Sequence, residues 1–332
     1  MGQVMYSVEE VKQLIAQGRK LLLAGDEKLL RQLPPGDWIG GTIPYFMTDE
    51  GGTCSREKIY VSELPSYVLK TEITIYDEET IPKVYSDTPD HGFSVIIIPA
   101  KSNTHLSFAL NAPNYEGFAI HPLVGWISGF HLDDLGRGKA MVFSGAGPEA
   151  LAEGAVVMHV TLPRNKVADI GIINIFEQGE GDNITFGSDG FSAKATYING
   201  RKRNLGEYIS EKHLDKRLPL VADYCGAMIN TSFQEGDDRE EGVRFYAPVF
   251  SGLRYRHAKP VEDPVGRFAA LMPADVGDQI LFSCNCILNY LYCELEGKQT
   301  EITGPATFGE IAYQLLNQTM VYLRIVDLSF ER

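Results

Sequence analysis

Ile280-Leu281-Phe282-Ser283-Cys284-Asn285-Cys286, followed by Gly304-Pro305-Ala306-Thr307-Phe308-Gly309-Glu310-Ile311-Ala312, decides how this chain is read. The first stretch is an apolar run of strand type that ends in small polar residues and thiols. The second is a Gly-flanked turn that delivers one carboxylate, Glu310. A further apolar run, Met320-Val321-Tyr322-Leu323-Arg324-Ile325-Val326, completes a C-terminal sheet. Strand ends that carry thiol, amide and carboxylate groups are a common way to line a pocket. They match no catalytic template.

Upstream, two segments share this character. Trp38-Ile39-Gly40-Gly41-Thr42-Ile43-Pro44-Tyr45-Phe46 and Pro122-Leu123-Val124-Gly125-Trp126-Ile127-Ser128-Gly129-Phe130 are apolar, with a Trp and paired or spaced glycines. Both read as strands that a ligand or another backbone approaches closely. Phe93 to Pro99 reads as a fully buried strand. Lys58 to Val61 and Leu69 to Ile75 read as a strand pair. Asn183 to Gly187 and Phe191 to Ile198 read as a hairpin across Ser188-Asp189-Gly190, and Val243 to Arg256 reads as strand. Ser7 and Glu10 form a capping box for a helix to about Gly18. Further helices are expected from Glu27 to Leu33, from an Asn103 cap to Leu110, and from Leu205 to Lys212. The pattern predicts an α+β fold of two packed mixed or antiparallel sheets flanked by helices (αββα-like). The turn at Asn199-Gly200 suggests two subdomains, 1–200 and 201–332.

The chain has 332 residues, enough for more than one core. A net charge of −14 argues against nucleic acid and anionic membrane as partners. Five cysteines, an odd number in a long chain, imply no disulfide framework and fit reduced thiols in the cytoplasm. Met1-Gly2-Gln3-Val4-Met5-Tyr6 lacks the basic and apolar regions of a signal peptide, and the longest apolar run, Val95 to Pro99, is too short to span a bilayer.

Each chemical constellation has a bland reading beside a functional one. Cys284, Cys286 and Cys293 stand as C-x-C-x₆-C with no fourth ligand nearby. Packing or pocket lining, a reactive thiol and a metal ligand are the three readings. Glu310 is either a carboxylate with a raised pKa or a ligand amine as partner, or a surface or capping acid. Trp126 and His131 flank Gly129-Phe130 and would form a pocket wall, or simply core. Arg254, Arg256, His257 and Lys259 make a basic stretch that would bind an anion or form a charged edge strand. Gly145-Ala146-Gly147-Pro148-Glu149-Ala150 matches G-x-G-x-x-A, but no acid closes a second strand where ribose binding requires one. The histidines show no metal-hydrolase spacing.

Four blocks, taken in order, resemble the FIST sensory domain of bacterial signalling proteins and eukaryotic F-box proteins. They are Ile39-Gly40-Gly41-Thr42, Val124-Gly125-Trp126-Ile127-Ser128-Gly129, Gly181 to Glu211, and Leu281-Phe282-Ser283-Cys284 with Thr307-Phe308-Gly309-Glu310-Ile311 and Asn317-Gln318-Thr319. The resemblance covers nearly the whole chain. It implies a two-part α+β sensory module, with an N-like half over 1–200 and a C-like half over 201–332. It also implies a ligand such as an amino acid or other small metabolite, and haem in some members. No C-x-x-C-H motif is present, so a haem would be held non-covalently by a histidine such as His131.

The expectation is therefore a cytoplasmic small-molecule-binding or sensory protein without catalytic activity, metal or obligatory cofactor. With no output segment in the sequence, it would act through a signalling protein partner. The expected binding residues are Thr42, Trp126, His131, Arg254, Cys284, Asn285, Cys286 and Glu310, gathered where the two halves meet. The alternative is a cysteine-dependent hydrolase or transferase using Cys284 or Cys286 in that pocket, with His131 or His257 as base and Glu310 as orienter.

Overall fold

The Ser7 side chain accepts the Glu10 N–H at 3.3 Å, and the Glu10 carboxylate accepts the Ser7 N–H at 2.7 Å. The helix Val8–Ala16 thus begins at the capping box that the sequence predicts. It buries Val11 and Ile15 against Leu21, Leu23, Trp38, Ile59 and Val61, and the short helix Glu27–Leu30 adds Leu29 and Leu30 to the same core. The computed structural model describes residues 3–147, 150–224, 226–236, 242–273, 280–300 and 302–328. Strand outweighs helix, 41% against 17%, and the sheets are mixed or antiparallel, so the fold is α+β.

The chain divides into two units. One comprises Met1–Ile172, Met272–Leu315 and Met320–Arg332; the other comprises Ile173–Leu271 and Leu316–Thr319. Among the described residues the first unit is built on three six-stranded sheets. In the first sheet, Leu21–Gly25 lies parallel to Trp38–Thr42 with antiparallel strands outside them. In the second, Gly92–Pro99 and Leu123–Ser128 are parallel, and the edges are antiparallel. In the third, Ile280–Cys286 runs parallel to Gly304–Thr307 and antiparallel to Met320–Asp327. The strands Leu21–Gly25, Trp38–Thr42 and Leu123–Ser128 are buried at every position, which explains their unbroken apolar runs.

These sheets make two layers. Leu21, Leu23 and Trp38 face the helices, so Ile39 and Gly41 face the other way. Gly41 there meets Ile97, Trp126 and Ser128 of the second sheet. Trp126 also stacks on Phe282 of the third sheet. The first and third sheets therefore cover the same face of the second. The chain passes between them directly: Trp38–Thr42 belongs to the first sheet and Tyr45–Thr48 to the third.

The second unit has an antiparallel six-stranded sheet, the pair Gly190–Ala193 and Val243–Val249, and the helices Leu205–Lys212 and Pro264–Leu271. Its core gathers Phe186, Tyr208, Phe233, Phe245 and Tyr255. The segment Leu316–Thr319 is held within it by amides: Asn230 Nδ2 donates to the carbonyls of Asn317 and Gln318, and Ser232 Oγ donates to Asn317 Oδ1.

Several expectations change. The apolar run from Trp38 to Phe46 is two strands in two sheets, broken at Ile43-Pro44 where Pro lacks a donor. Ile59–Glu63 and Lys70–Tyr76 belong to different sheets and do not pair. Ser102, not Asn103, caps the helix Asn103–Asn111. Of the expected hairpin, only Ile184–Thr185 pairs with Ala195–Ile198, while Gly190–Ala193 pairs with Val243–Val249. The stretch from Val243 to Arg256 breaks after Val249 and resumes at Tyr255. The compact units do not divide at residue 200. The chain after Met272 returns to the first unit, because Gly304–Thr307 pairs with Tyr45–Thr48 and Glu310–Ala312 with Leu123–Ser128. Pro148 and Glu149 of the glycine motif, and Cys225, lie outside the described residues.

Candidate functional site

Seven of the eight expected residues lie in the first unit, and Arg254 lies in the second, exposed. The glycines that suggested a close approach are used by the protein itself. A Cβ at Gly125 would sit 1.8 Å from the Ile96 carbonyl oxygen, and one at Gly129 would sit 2.4 Å from the Phe308 ring.

Trp126, Glu310 and Cys284 come together on one buried face. Glu310 pairs directly with Trp126 across antiparallel strands, so the two side chains share a face. Phe282 and Cys284, two residues apart, share one face of the facing strand. The Phe282 ring stacks on the Trp126 indole at 5.3 Å, and the Cys284 thiol donates to the Gly125 carbonyl at 3.4 Å. Glu310 is 0% exposed and Trp126 1%, which removes the reading of Glu310 as a surface turn acid. The Cys284 thiol is pushed well up, first by burial and then by the charges of Glu310 and Cys286.

On this face the Trp126 indole N–H and the Ser128 hydroxyl have no hydrogen-bond partner in the protein. Both border Gly41, where a Cβ would lie 2.6 Å from Ile97 Cγ2, 3.0 Å from Trp126 Nε1 and 3.2 Å from Ser128 Cβ, so the glycine lets the two sheets pack closely at this point. Ser128 was not among the expected residues. Its signal was its place beside Trp126 in a strand where every other residue but glycine is apolar.

The remaining residues do other work. Thr42 Oγ1 donates to the Gly129 carbonyl at 2.6 Å and accepts the Met141 N–H at 2.9 Å, so it ties three segments together. Asn285 Oδ1 accepts from the Cys286 N–H and from Asn289 Nδ2, which organises the start of the helix Ile287–Tyr292; Cys286 is its N-cap. His131 stands apart, capping the short turn Leu132–Asp134 through Nδ1 and stacking on Tyr45 at 5.4 Å. Tyr45 in turn packs on Tyr290 and is the cross-strand partner of Cys54. The Cys54 thiol is raised by burial. In the second unit, His257 is engaged with the Asp215 carbonyl at 2.9 Å.

Among the described residues no group of His, Cys, Asp and Glu is arranged to hold a metal ion, and Cys54, Cys284, Cys286 and Cys293 form no disulfide. Among the same residues no helix is long and apolar enough to cross a membrane.

Over residues 6–326 the chain matches a family of unknown function, DUF6976, and it belongs to that family. The family's description makes no link to the FIST domain. None of the curated proteins compared with the chain matches it.

Proposed function

We propose that the protein binds a small polar metabolite on the Trp126–Glu310 face of its first unit, and that this binding serves a sensory role in the cytoplasm. The single observation that carries this reading is the pair of buried donors, Trp126 Nε1–H and Ser128 Oγ–H, left without a protein partner beside Gly41. Native proteins leave few such groups unsatisfied, because each one costs free energy when dry. A free amino acid fits the chemistry. Its carboxylate would accept from the indole and the hydroxyl, and its ammonium group would meet the Glu310 carboxylate. The sensory role rests on the FIST resemblance alone.

Cysteine-dependent catalysis at Cys284 lacks comparable support. A thiol raised by burial, and already donating to the Gly125 carbonyl, is a poor source of thiolate.

The test is a thermal-shift and calorimetric screen of purified protein against the free amino acids, small dicarboxylates and haem. A ligand that binds only the native state raises Tm once its concentration exceeds Kd. The response should disappear in Glu310→Gln and weaken in Trp126→Phe. If no compound shifts Tm, and high-resolution density shows one ordered water on the two donors, the binding reading fails.

A further inference from the structure

On the other side of the second sheet, a line of hydrogen bonds runs from a surface carboxylate to a main-chain carbonyl. Asp87 Oδ2 accepts from the Tyr76 hydroxyl at 2.9 Å, and the Tyr76 oxygen lies 2.8 Å from His159 Nε2. His159 Nδ1 lies 2.7 Å from Ser94 Oγ, which lies 2.7 Å from Thr88 Oγ1. Thr88 then donates to the Val84 carbonyl at 2.9 Å. Tyr76, Ser94, His159 and Thr88 are buried, and Asp87 is exposed.

Counting protons along this line decides its chemistry. A carbonyl and an ionised carboxylate only accept, so both ends of the line accept. Between them stand two aliphatic hydroxyls, one phenol and one imidazole. With the imidazole neutral, each of these four groups brings one proton to five hydrogen bonds. The line is one proton short.

We propose that His159 is a proton-binding site whose state ties or releases the segment between Tyr76 and Gly92. When the imidazole is neutral, Nδ1–H donates to Ser94, Ser94 to Thr88 and Thr88 to Val84. Tyr76 gives its only proton to Nε2. The bond left empty is the one to Asp87, which is the cheapest to lose, because an exposed carboxylate takes water instead. When a solvent proton binds at Nε2, the imidazolium donates to the Tyr76 oxygen, the Tyr76 proton turns to Asp87, and all the bonds are filled. Tyr76 ends the strand Lys70–Tyr76 and Ser94 lies in Gly92–Pro99, so Asp87 belongs to the connection that spans them. Acid fastens that connection to the sheet.

The surroundings bear on where the switch operates. Burial opposes the charge on His159 and holds its pKa below the ordinary histidine value, while Asp87 and Glu72 favour the charge. Glu72 is its cross-strand partner and pairs with Lys70 at 2.8 Å. From the helix Asn103–Asn111, packed on Gly92–Pro99, the titratable group is His105, whose Nδ1 accepts the Lys101 N–H. Within the connection, the Tyr85 hydroxyl donates to the Tyr313 carbonyl. None of this depends on a metabolite binding at Trp126.

Hydrogen exchange of residues 77–91 between pH 8 and pH 5, corrected for intrinsic rates, tests the switch alongside an NMR titration of the His159 ring. In the wild type, protection of this segment should rise roughly fivefold as the ring takes its proton, the worth of one net hydrogen bond. Asp87→Asn should be protected at every pH. Its amide donates to Tyr76, and the line then has enough protons with a neutral ring. Asp87 is exposed, so this variant folds. Tyr76→Phe should be unprotected at every pH. Wild-type protection that stays flat across the ring titration, or the same slope in all three proteins, would overturn the proposal.

Discussion

Glu310 and Trp126 are direct partners across the antiparallel pairing of Glu310–Ala312 with Leu123–Ser128, at 0% and 1% exposure. A carboxyl group in the core is costly unless its surroundings satisfy it. The position is therefore held by chemistry as well as by volume. Glu310→Ala should destabilise the protein by about 2–5 kcal/mol, as emptying a core position of that size does. Glu310→Gln keeps the volume and should cost much less. Urea unfolding of the two variants separates volume from charge. Equal losses would show that the charge and its hydrogen bonds, rather than the volume, hold this position.

Trp126 allows a sharper cut. Trp126→Phe keeps a ring to stack on Phe282 but removes an N–H that has no partner in the protein. Its cost should be about 1–2 kcal/mol of lost packing, against about 3–5 kcal/mol for Trp126→Ala. If Phe costs as much as Ala, the indole N–H is bonded in solution to a water or metabolite that leaves with it.

The glycines divide by what they face. A Cβ at Gly125 would lie 1.8 Å from a backbone oxygen that is fixed in the sheet. Gly125→Ala should therefore abolish soluble expression. A Cβ at Gly41 would lie 2.6 Å from a methyl group of Ile97, which has some freedom to move. Gly41→Ala should fold with a loss of about 1–3 kcal/mol, typical of overpacking. Expression yield and unfolding midpoint distinguish the two, and a fully stable Gly125→Ala protein would contradict the register described.

The thiols should react in order of access. Cys284 and Cys286 are buried, whereas Cys54 and Cys293 are partly exposed. Burial raises Cys293 to about 11 and also raises Cys54. Among the four described thiols, timed iodoacetamide labelling of native protein at neutral pH, read by peptide mass spectrometry, should show Cys54 first and Cys284 and Cys286 last. Rapid labelling of Cys284 would restore the thiol-enzyme reading.

Much of this architecture was legible because local chemistry and tertiary context agree. The Ser7–Glu10 box fixed a helix start, and Leu205–Lys212 follows Asn204 as a side-chain cap. The Phe93 to Pro99 run is continuous because both of its faces are buried. Strand partnership was not legible. Period-2 alternation in Thr71-Glu72-Ile73-Thr74-Ile75 reports which face is wet, not that the partner is Ala155–Thr161 rather than Ile59–Glu63. The division into units failed for the same reason: pairing of Glu310–Ala312 with Leu123–Ser128 joins residues far apart in sequence. At the site, Trp126, Cys284 and Glu310 do meet, but His131 caps its own turn and Arg254 lies in the other unit. The His159 line was invisible, because Tyr76, Asp87, Thr88 and Ser94 form no spaced motif with His159.

Acid should weaken the fold before its carboxylates titrate. Burial lowers His105 to about 4, and it also lowers His159. An unfolded histidine titrates near 6.5. Between these values the unfolded chain binds more protons than the native one, so stability falls as pH falls. The contribution of a depressed histidine is complete above about pH 6.5 and is lost on the way down to its folded pKa. For His105 the full loss is on the order of 3 kcal/mol, approached near pH 4. Carboxylates titrate mainly below about pH 4.5, so urea unfolding between pH 7 and pH 5 isolates the histidines. Over that window the wild type should lose stability progressively, and His105→Gln should flatten much of the slope, if necessary from a lower starting value. A wild-type stability that holds level from pH 7 to pH 5 would mean that His105 and His159 accept protons in the native state as readily as in the unfolded chain. That outcome would contradict the burial from which both shifts arise.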